Sequence, residues 1–136
     1  MYEKSFTIEI ITPGRVVFSG QVTSVSAPGV EGGFQILASH APFMSAIGVG
    51  RLTTKGTDGA DTRYATTGGF LEVKDNRVVV LAEAVERSDE IDVRRAEAAR
   101  DRATDRLRVP TKDIDIERAR AALLRALNRL QVAGQS

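Results

Sequence analysis

The sequence predicts an α+β protein: an N-terminal antiparallel β-sandwich followed by a C-terminal antiparallel α-helical hairpin. Three observations predict it. Eleven of the twelve glycines lie at or before Gly69, and beyond Ser88 the only glycine is Gly134. Up to about residue 85, apolar and polar residues alternate between Gly, Pro and Asp/Asn breaks, the pattern of short strands and turns. After that point Ala, Arg, Leu, Asp and Glu dominate, which favours helix. The expected division is 1–87 for the sandwich and 88–136 for the two-helix unit.

Phe6-Thr-Ile-Glu-Ile alternates with period two, so one face is buried and the other wet. Pro13-Gly14 ends it. Arg15-Val-Val-Phe-Ser and Gln21-Val-Thr-Ser-Val-Ser read as two strands separated at Gly20. Phe34-Gln-Ile-Leu is a short strand, and residues 47–54 hold another. Thr57-Asp58-Gly59 marks a hairpin between Leu52-Thr-Thr-Lys55 and Thr62-Arg-Tyr-Ala-Thr66. Asp75-Asn76, between Gly69-Phe-Leu-Glu-Val-Lys74 and Arg77-Val-Val-Val-Leu81, predicts a tight turn with both residues at positive φ. Asp89 is the expected cap of the first helix. Its apolar stripe is Val93, Ala96, Ala103 and Leu107, with the Arg100 stem beside them. Pro110 stops it. Thr111 to Asp113 offers caps for the second helix, whose stripe is Ile116, Ala119, Leu123, Leu127 and Leu130. That hairpin buries little apolar area and is expected to be marginally stable, which suits a movable element.

Composition excludes several functions. Net charge is +1, so the chain as a whole has no strong pull toward nucleic acid or anionic lipid. There is no cysteine, hence no disulfide and no thiolate metal site. No apolar run approaches the ~20 residues that span a bilayer. The N-terminal residues lack secretion-signal and transit-peptide features, and the expectation is a protein made and used in one compartment. His40 is the single histidine and cannot complete a metal site alone. In Ala38-Ser39-His40-Ala41-Pro42 it reads as a surface-loop residue, with a contact role open. The Gly-rich stretch from Pro28 to Gly33 lacks the Gly-Lys-Ser/Thr ending of a phosphate loop. No Ser/His/Asp or Cys/His set marks a catalytic centre, and carboxylates such as Glu83 and Glu86 carry no sign of general acid–base work.

The arginines of the helical part leave two readings open. Arg118, Arg125 and Arg129 fall within about 40° of one another on a helix, and Arg95 and Arg102 share a face of the first helix. One reading is a solvated surface with carboxylate partners one turn away. The other is an anion site, since clustered guanidinium groups repel unless something negative lies between them. Nucleic acid is disfavoured by interleaved Asp and Glu and the lack of aromatics for stacking.

Three segments carry a family resemblance. Pro28-Gly-Val-Glu-Gly-Gly-Phe-Gln-Ile-Leu-Ala-Ser-His-Ala-Pro42 resembles the signature loop of the epsilon subunit of the rotary F-type ATP synthase. Gly68-Gly-Phe-Leu-Glu-Val-Lys-Asp-Asn-Arg-Val-Val-Val-Leu81 resembles its late hairpin. Ile91-Asp92-Val-Arg-Arg95-Ala96 is similar to the Ile-Asp-x-x-Arg-Ala motif of its nucleotide-binding members. The resemblance covers nearly the whole chain and implies a sandwich of about ten strands. It implies a non-catalytic coupling and regulatory subunit of the central rotor stalk. The implied partners are the gamma subunit, the membrane ring of proton-carrying subunits and, when the hairpin extends to block ATP hydrolysis, the catalytic alpha and beta subunits. Residues matching the ring contact are Glu31, Gly32, Ser39, His40 and Pro42. Those matching the nucleotide site are Glu86, Asp92, Arg95, Arg102, Arg125 and Arg129. ATP is then a regulatory ligand, with or without magnesium, and no cofactor is required. The implied location is peripheral, on the cytoplasmic face of a bacterial membrane, the alternative being the stromal side of a plastid thylakoid. The rival reading is a purely structural rotor clamp. Ser39 and Gln35 depart from the family pattern, standing where Gly or Asn, and Gly, are common.

Overall fold

The computed structural model describes residues 4–134. The chain divides into two compact units, Met1–Arg87 and Ser88–Ser136, each described here by itself.

The first unit holds nine strands: β1 (Phe6–Thr12), β2 (Arg15–Ala27), β3 (Phe34–Leu37), β4 (Phe43–Ile47), β5 (Gly50–Gly56), β6 (Asp61–Thr66), β7 (Gly69–Lys74), β8 (Arg77–Ala82) and β9 (Val85–Arg87). They are hydrogen-bonded in the order β4-β7-β8-β1-β2-β5-β6-β9, with β3 also on β2. β2 is one strand of 13 residues, not two strands broken at Gly20 as its sequence suggests. Gly20 stays in register opposite Ile8, so the ladder runs through it unbroken. The irregularities of β2 lie on either side of Gly20, between Val16 and Phe18 opposite β1 and between Val22 and Ser24 opposite β5, where register shifts re-aim the strand. The first part of β2 pairs with β1 and the last part with β3 and β5, so one strand belongs to both layers.

All strand pairs are antiparallel except β1 with β8, whose register runs from Thr7 opposite Arg77 to Ile11 opposite Leu81. A parallel pair between strands so far apart in sequence needs no dedicated crossover. The alternation read in β1 holds: Phe6, Ile8 and Ile10 face a common core with Val22, Val25, Leu52, Leu71, Val73, Val78 and Val80. Burial of such side chains contributes ~1.5–3 kcal/mol each. The Asp75-Asn76 turn has φ of 52° and 59°, as its residue types predict. Gly69 is required by close approach: a Cβ there would overlap the Leu81 carbonyl oxygen and lie 2.7 Å from Ala82 Cα.

The second unit begins with a 3-10 turn at Ser88–Glu90, then α1 (Val93–Arg108) and α2 (Ile116–Val132), which pack on each other as a hairpin. The caps differ from those expected. Asp92, not Asp89, caps α1, its Oδ1 accepting from the Arg95 N–H at 3.1 Å. Asp115, rather than Thr111 to Asp113, caps α2 through the Arg118 N–H at 3.1 Å. Asp89 lies inside the 3-10 turn. Ala96 and Ala103 are buried on α1, with Val93, Arg100 and Leu107 half-buried beside them. On α2 the buried line is Ala119, Ala126, Leu130 and Val132, whereas Ile116 and Leu127 of the expected stripe are exposed. Alanines at the seam let the helices approach closely, and Ile116, Leu124 and Leu127 fall outside it while Leu130 stays buried.

Candidate functional site

Three surfaces stand out. The first is the loop end of the sandwich. Glu31 and Gly32 are exposed in the connection before β3, with the Gly32 N–H donating to the Gly29 carbonyl at 3.1 Å. Ser39, His40 and Pro42 are exposed in the connection after β3. The two connections are tied by rings at the strand starts: Phe34 and Phe43 meet edge-to-face with centroids 5.2 Å apart. The His40 ring lies 5.7 Å from Phe43, and its Nδ1 is 2.7 Å from the Ala41 carbonyl oxygen. Ser39 has φ of 61°, which accounts for Gly or Asn being favoured at that position in the resembling pattern. Its N–H donates to Asn76 Oδ1 at 2.8 Å.

The second surface is a row across the outer face of five strands. Register places Ala46 beside Phe70, Phe70 beside Leu81, Leu81 beside Ile11 and Ile11 beside Val16. Phe70, Leu81 and Val16 are each more than half exposed. Pro13 adjoins Phe70 and Leu81 in the wall of the same shallow apolar depression. Isolated apolar residues on a surface are ordinary, but a contiguous row marks a contact face. Its signal in the sequence was the unbroken apolar run Val78 to Leu81, which alternation alone does not require.

The third surface is the hairpin. Glu86 lies on β9 opposite Ala65, in the sandwich unit, and is half-buried. The other five residues that the resemblance matches to a nucleotide site lie in the helical unit. Asp92 is the cap, and Arg95, Arg102 and Arg125 are exposed while Arg129 is half-buried. Each of these arginines directly precedes a buried helix residue: Ala96, Ala103, Ala126 and Leu130 respectively. Arg118 precedes buried Ala119 in the same way. In an antiparallel pair, positions one before the seam on either helix project to the same side, because reversing the axis also reverses the sense of rotation. Arg106, eleven residues after Arg95, returns to the same angle within about 20°. One side of the hairpin thus carries six arginines, two of which, Arg106 and Arg118, lie outside the set that the resemblance matches to a nucleotide site.

Carboxylate pairing goes elsewhere. Arg100 pairs with Asp101 at 3.1 Å, Arg108 with Asp105 at 3.0 Å and Arg120 with Glu117 at 3.4 Å. Among the described residues Arg95, Arg102, Arg106, Arg118 and Arg125 form no ion pair. Five arginines on one side of the hairpin are thus without ion pairs among the described residues, as Arg94 is elsewhere on α1, and an anion among the five would relieve their mutual repulsion. No three His, Asp or Glu side chains gather as metal ligands among the described residues.

Comparison with known proteins bears on the fold and the family. Residues 5–88 match the beta-sandwich domain of the ATP synthase Delta/Epsilon chain, and residues 89–134 match its long alpha-helix domain. The chain belongs to the ATP synthase delta/epsilon chain family. It is 50% identical over 105 residues to the ATP synthase epsilon chain of Nitratidesulfovibrio vulgaris, covering 77% of this chain and 78% of that one. It is 50% identical over 107 residues to that of Pelotomaculum thermopropionicum, covering 79% of each. Among solved structures it resembles a chain of the Euglena gracilis mitochondrial ATP synthase (OSCP/F1/c-ring) with TM-score 0.72 and 18% identity, covering 98% of this chain and 80% of that one. A chain of the central stalk and c-ring of the Tetrahymena thermophila mitochondrial enzyme gives 0.64 and 14%, with 98% and 99% covered. These two likenesses carry the fold. Delta/epsilon family membership agrees with a sandwich followed by a helical hairpin, as the sequence predicts.

Proposed function

We propose that this chain is a non-catalytic coupling and regulatory subunit of the rotor stalk of an ATP synthase, with a hairpin that binds ATP. The observation that carries the regulatory part is the arginine set on one side of the hairpin, of which Arg95, Arg102, Arg106, Arg118 and Arg125 form no ion pair among the described residues. Guanidinium groups are natural phosphate partners. ATP held there, with Arg95, Arg102, Arg125 and Arg129 as its cationic surroundings, stabilises the hairpin that binds it. At a hundred times its dissociation constant it contributes ~2.7 kcal/mol. That suffices to bias a marginal element, provided the alternative hairpin state binds ATP less well. In that alternative state the same arginines face acidic surface of the catalytic alpha and beta subunits and block hydrolysis, so ATP and inhibition oppose each other by linkage.

The sandwich supplies assembly. The loop end bearing Glu31, Gly32, Ser39, His40 and Pro42 meets the membrane ring of proton-carrying subunits, and the apolar row through Phe70 and Leu81 fits the gamma subunit. Epsilon chains of bacteria at 50% identity and structural neighbours within stalk and c-ring assemblies support this reading. No helix among the described residues is long and apolar enough to cross a membrane, which fits a peripheral position on the cytoplasmic face of a bacterial membrane.

Calorimetric titration of the full chain with ATP, with and without magnesium, tests the site. The expected result is saturable binding that Arg95→Ala weakens about tenfold or more. Equal affinity in the variant sinks the site, and no binding by the parent leaves the structural rotor clamp. Replacing Arg118, Arg125 and Arg129 together by Ala is expected to raise ATP hydrolysis by the assembled enzyme. Each exposed pair is worth only ~0–1 kcal/mol, so no single substitution suffices.

A further inference from the structure

The Asp75-Asn76 turn lies against two other segments of the sandwich, and one residue makes every link. Asn76 Oδ1 accepts from the Ser39 N–H at 2.8 Å. Its Nδ2 donates to the Ser5 carbonyl at 3.1 Å. Its own carbonyl accepts from the Thr7 N–H at 3.3 Å. The start of β1, the β7–β8 turn and the β3–β4 connection thus meet at Asn76. The geometry needs an amide: one atom must accept and the other must donate. Ser39 sits at φ of 61°, a conformation its Cβ disfavours. Its backbone is therefore held by a bond from outside the loop rather than by its own preference.

We infer that Asn76 is a positioning residue for the 38–42 connection. Through the Ser39 N–H it fixes the direction in which His40 and Pro42 leave the sandwich, and so sets how well the loop end engages its partner. This rests on the reading of that loop as the ring contact. The role of Asn76 differs from general support of the fold, because the loop needs it only while residue 39 carries a Cβ.

Three substitutions separate the contributions. Asn76→Gly keeps a residue that tolerates the turn's φ of 59° and removes both side-chain bonds. Asn76→Asp keeps the acceptor for Ser39 and loses the donor to Ser5. Ser39→Gly removes the Cβ that opposes the loop conformation. The measurements are amide hydrogen exchange at residue 39 and residues 40–43 in the full chain, and affinity of the full chain for purified rotor complex stripped of it. In Asn76→Gly the Ser39 amide is expected to exchange at least tenfold faster, with affinity several-fold lower. Asn76→Asp should leave Ser39 exchange within about twofold of the parent. Adding Ser39→Gly to Asn76→Gly should restore most of the affinity. Unchanged Ser39 exchange in Asn76→Gly overturns the inference, as does lost affinity that Ser39→Gly fails to rescue. A His40→Ala chain that binds as the parent does, while Asn76→Gly still accelerates Ser39 exchange, sinks the ring-contact reading and upholds the positioning of the loop.

Discussion

The Asp92 carboxylate accepts a hydrogen bond from the backbone N–H of Arg95, the residue whose guanidinium heads the unpaired set on the hairpin. One bond therefore both starts α1 and fixes where that side chain leaves the helix. An Asp at this place acts first through the backbone, by satisfying a donor that has no helical partner. Asn caps equally well without the charge. Asp92→Asn is expected to keep helix content and most ATP affinity, whereas Asp92→Ala loses about 1 kcal/mol of hairpin stability and binds ATP more weakly. Circular dichroism beside calorimetry checks this. If Asp92→Asn loses as much affinity as Asp92→Ala, the carboxylate contacts the ligand directly.

Arg106 and Arg108 give a matched pair two residues apart. Arg108 is paired with Asp105, and Arg106 is on the seam side without an ion pair among the described residues. Arg106→Ala should weaken ATP binding two- to fivefold, in line with ~0.5–1 kcal/mol for a screened charge. Arg108→Ala should leave it within experimental error. The reverse order would place the anion on the other side of the hairpin.

A chain ending at Arg87 should fold cooperatively, because the core cluster draws all its members from β1 to β9. A single thermal transition with a dispersed NMR spectrum is the expected outcome. The same fragment should still bind isolated gamma subunit, and failure to do so would remove assembly from the sandwich.

Substitution inside the sandwich should be costly at two named places. Leu71 is fully buried, so Leu71→Ala is expected to lower stability by ~2–5 kcal/mol through lost burial and a cavity. Gly69→Ala forces its Cβ against the Leu81 carbonyl and the β8 backbone, which cannot yield without breaking the ladder. Urea unfolding of both variants measures the loss. A Gly69→Ala midpoint equal to the parent's would show that the strand shifts freely.

Phe70→Glu should behave in the opposite way. The side chain is 56% exposed, so the isolated chain should keep its melting temperature within a few degrees. Binding to gamma should fall at least tenfold, because a charge then enters the apolar row. Undiminished binding would show that the row is not the contact.

Much of the fold was legible because period and punctuation agree. Phe6, Ile8 and Ile10 alternate and are buried, and Asp75-Asn76 takes the positive φ values its residue types allow. Gly20 misled because glycine usually breaks a strand, yet here the ladder runs through it opposite Ile8. The helix caps were misplaced for a similar reason. Two Asp residues precede each helix, Asp89 and Asp92 before α1 and Asp113 and Asp115 before α2, and only backbone geometry selects between them. A local echo does distinguish them: Asp92-Val-Arg-Arg-Ala96 and Asp115-Ile-Glu-Arg-Ala119 share a cap, an apolar first residue, an arginine and a buried alanine. The stripe on α2 was read one step too wide, since Leu at a seam position and Leu beside it look alike until the partner helix is placed. Asn76 carried no signal beyond its turn. Its two side-chain bonds reach residues 37 and 71 positions away, and no local pattern encodes such distances.

The single strand shared by both layers bears on how the sandwich responds to load. Two layers joined only by side chains slide when pulled in opposite directions, since apolar contact resists shear poorly. Here Arg15–Ala27 is laced by ladder bonds into both layers, so a sideways force on one arrives at the other along covalent backbone. Relative slip would require unzipping β2 from one of the layers. A sideways load on one layer of the sandwich is thus shared with the other through the backbone of a single strand.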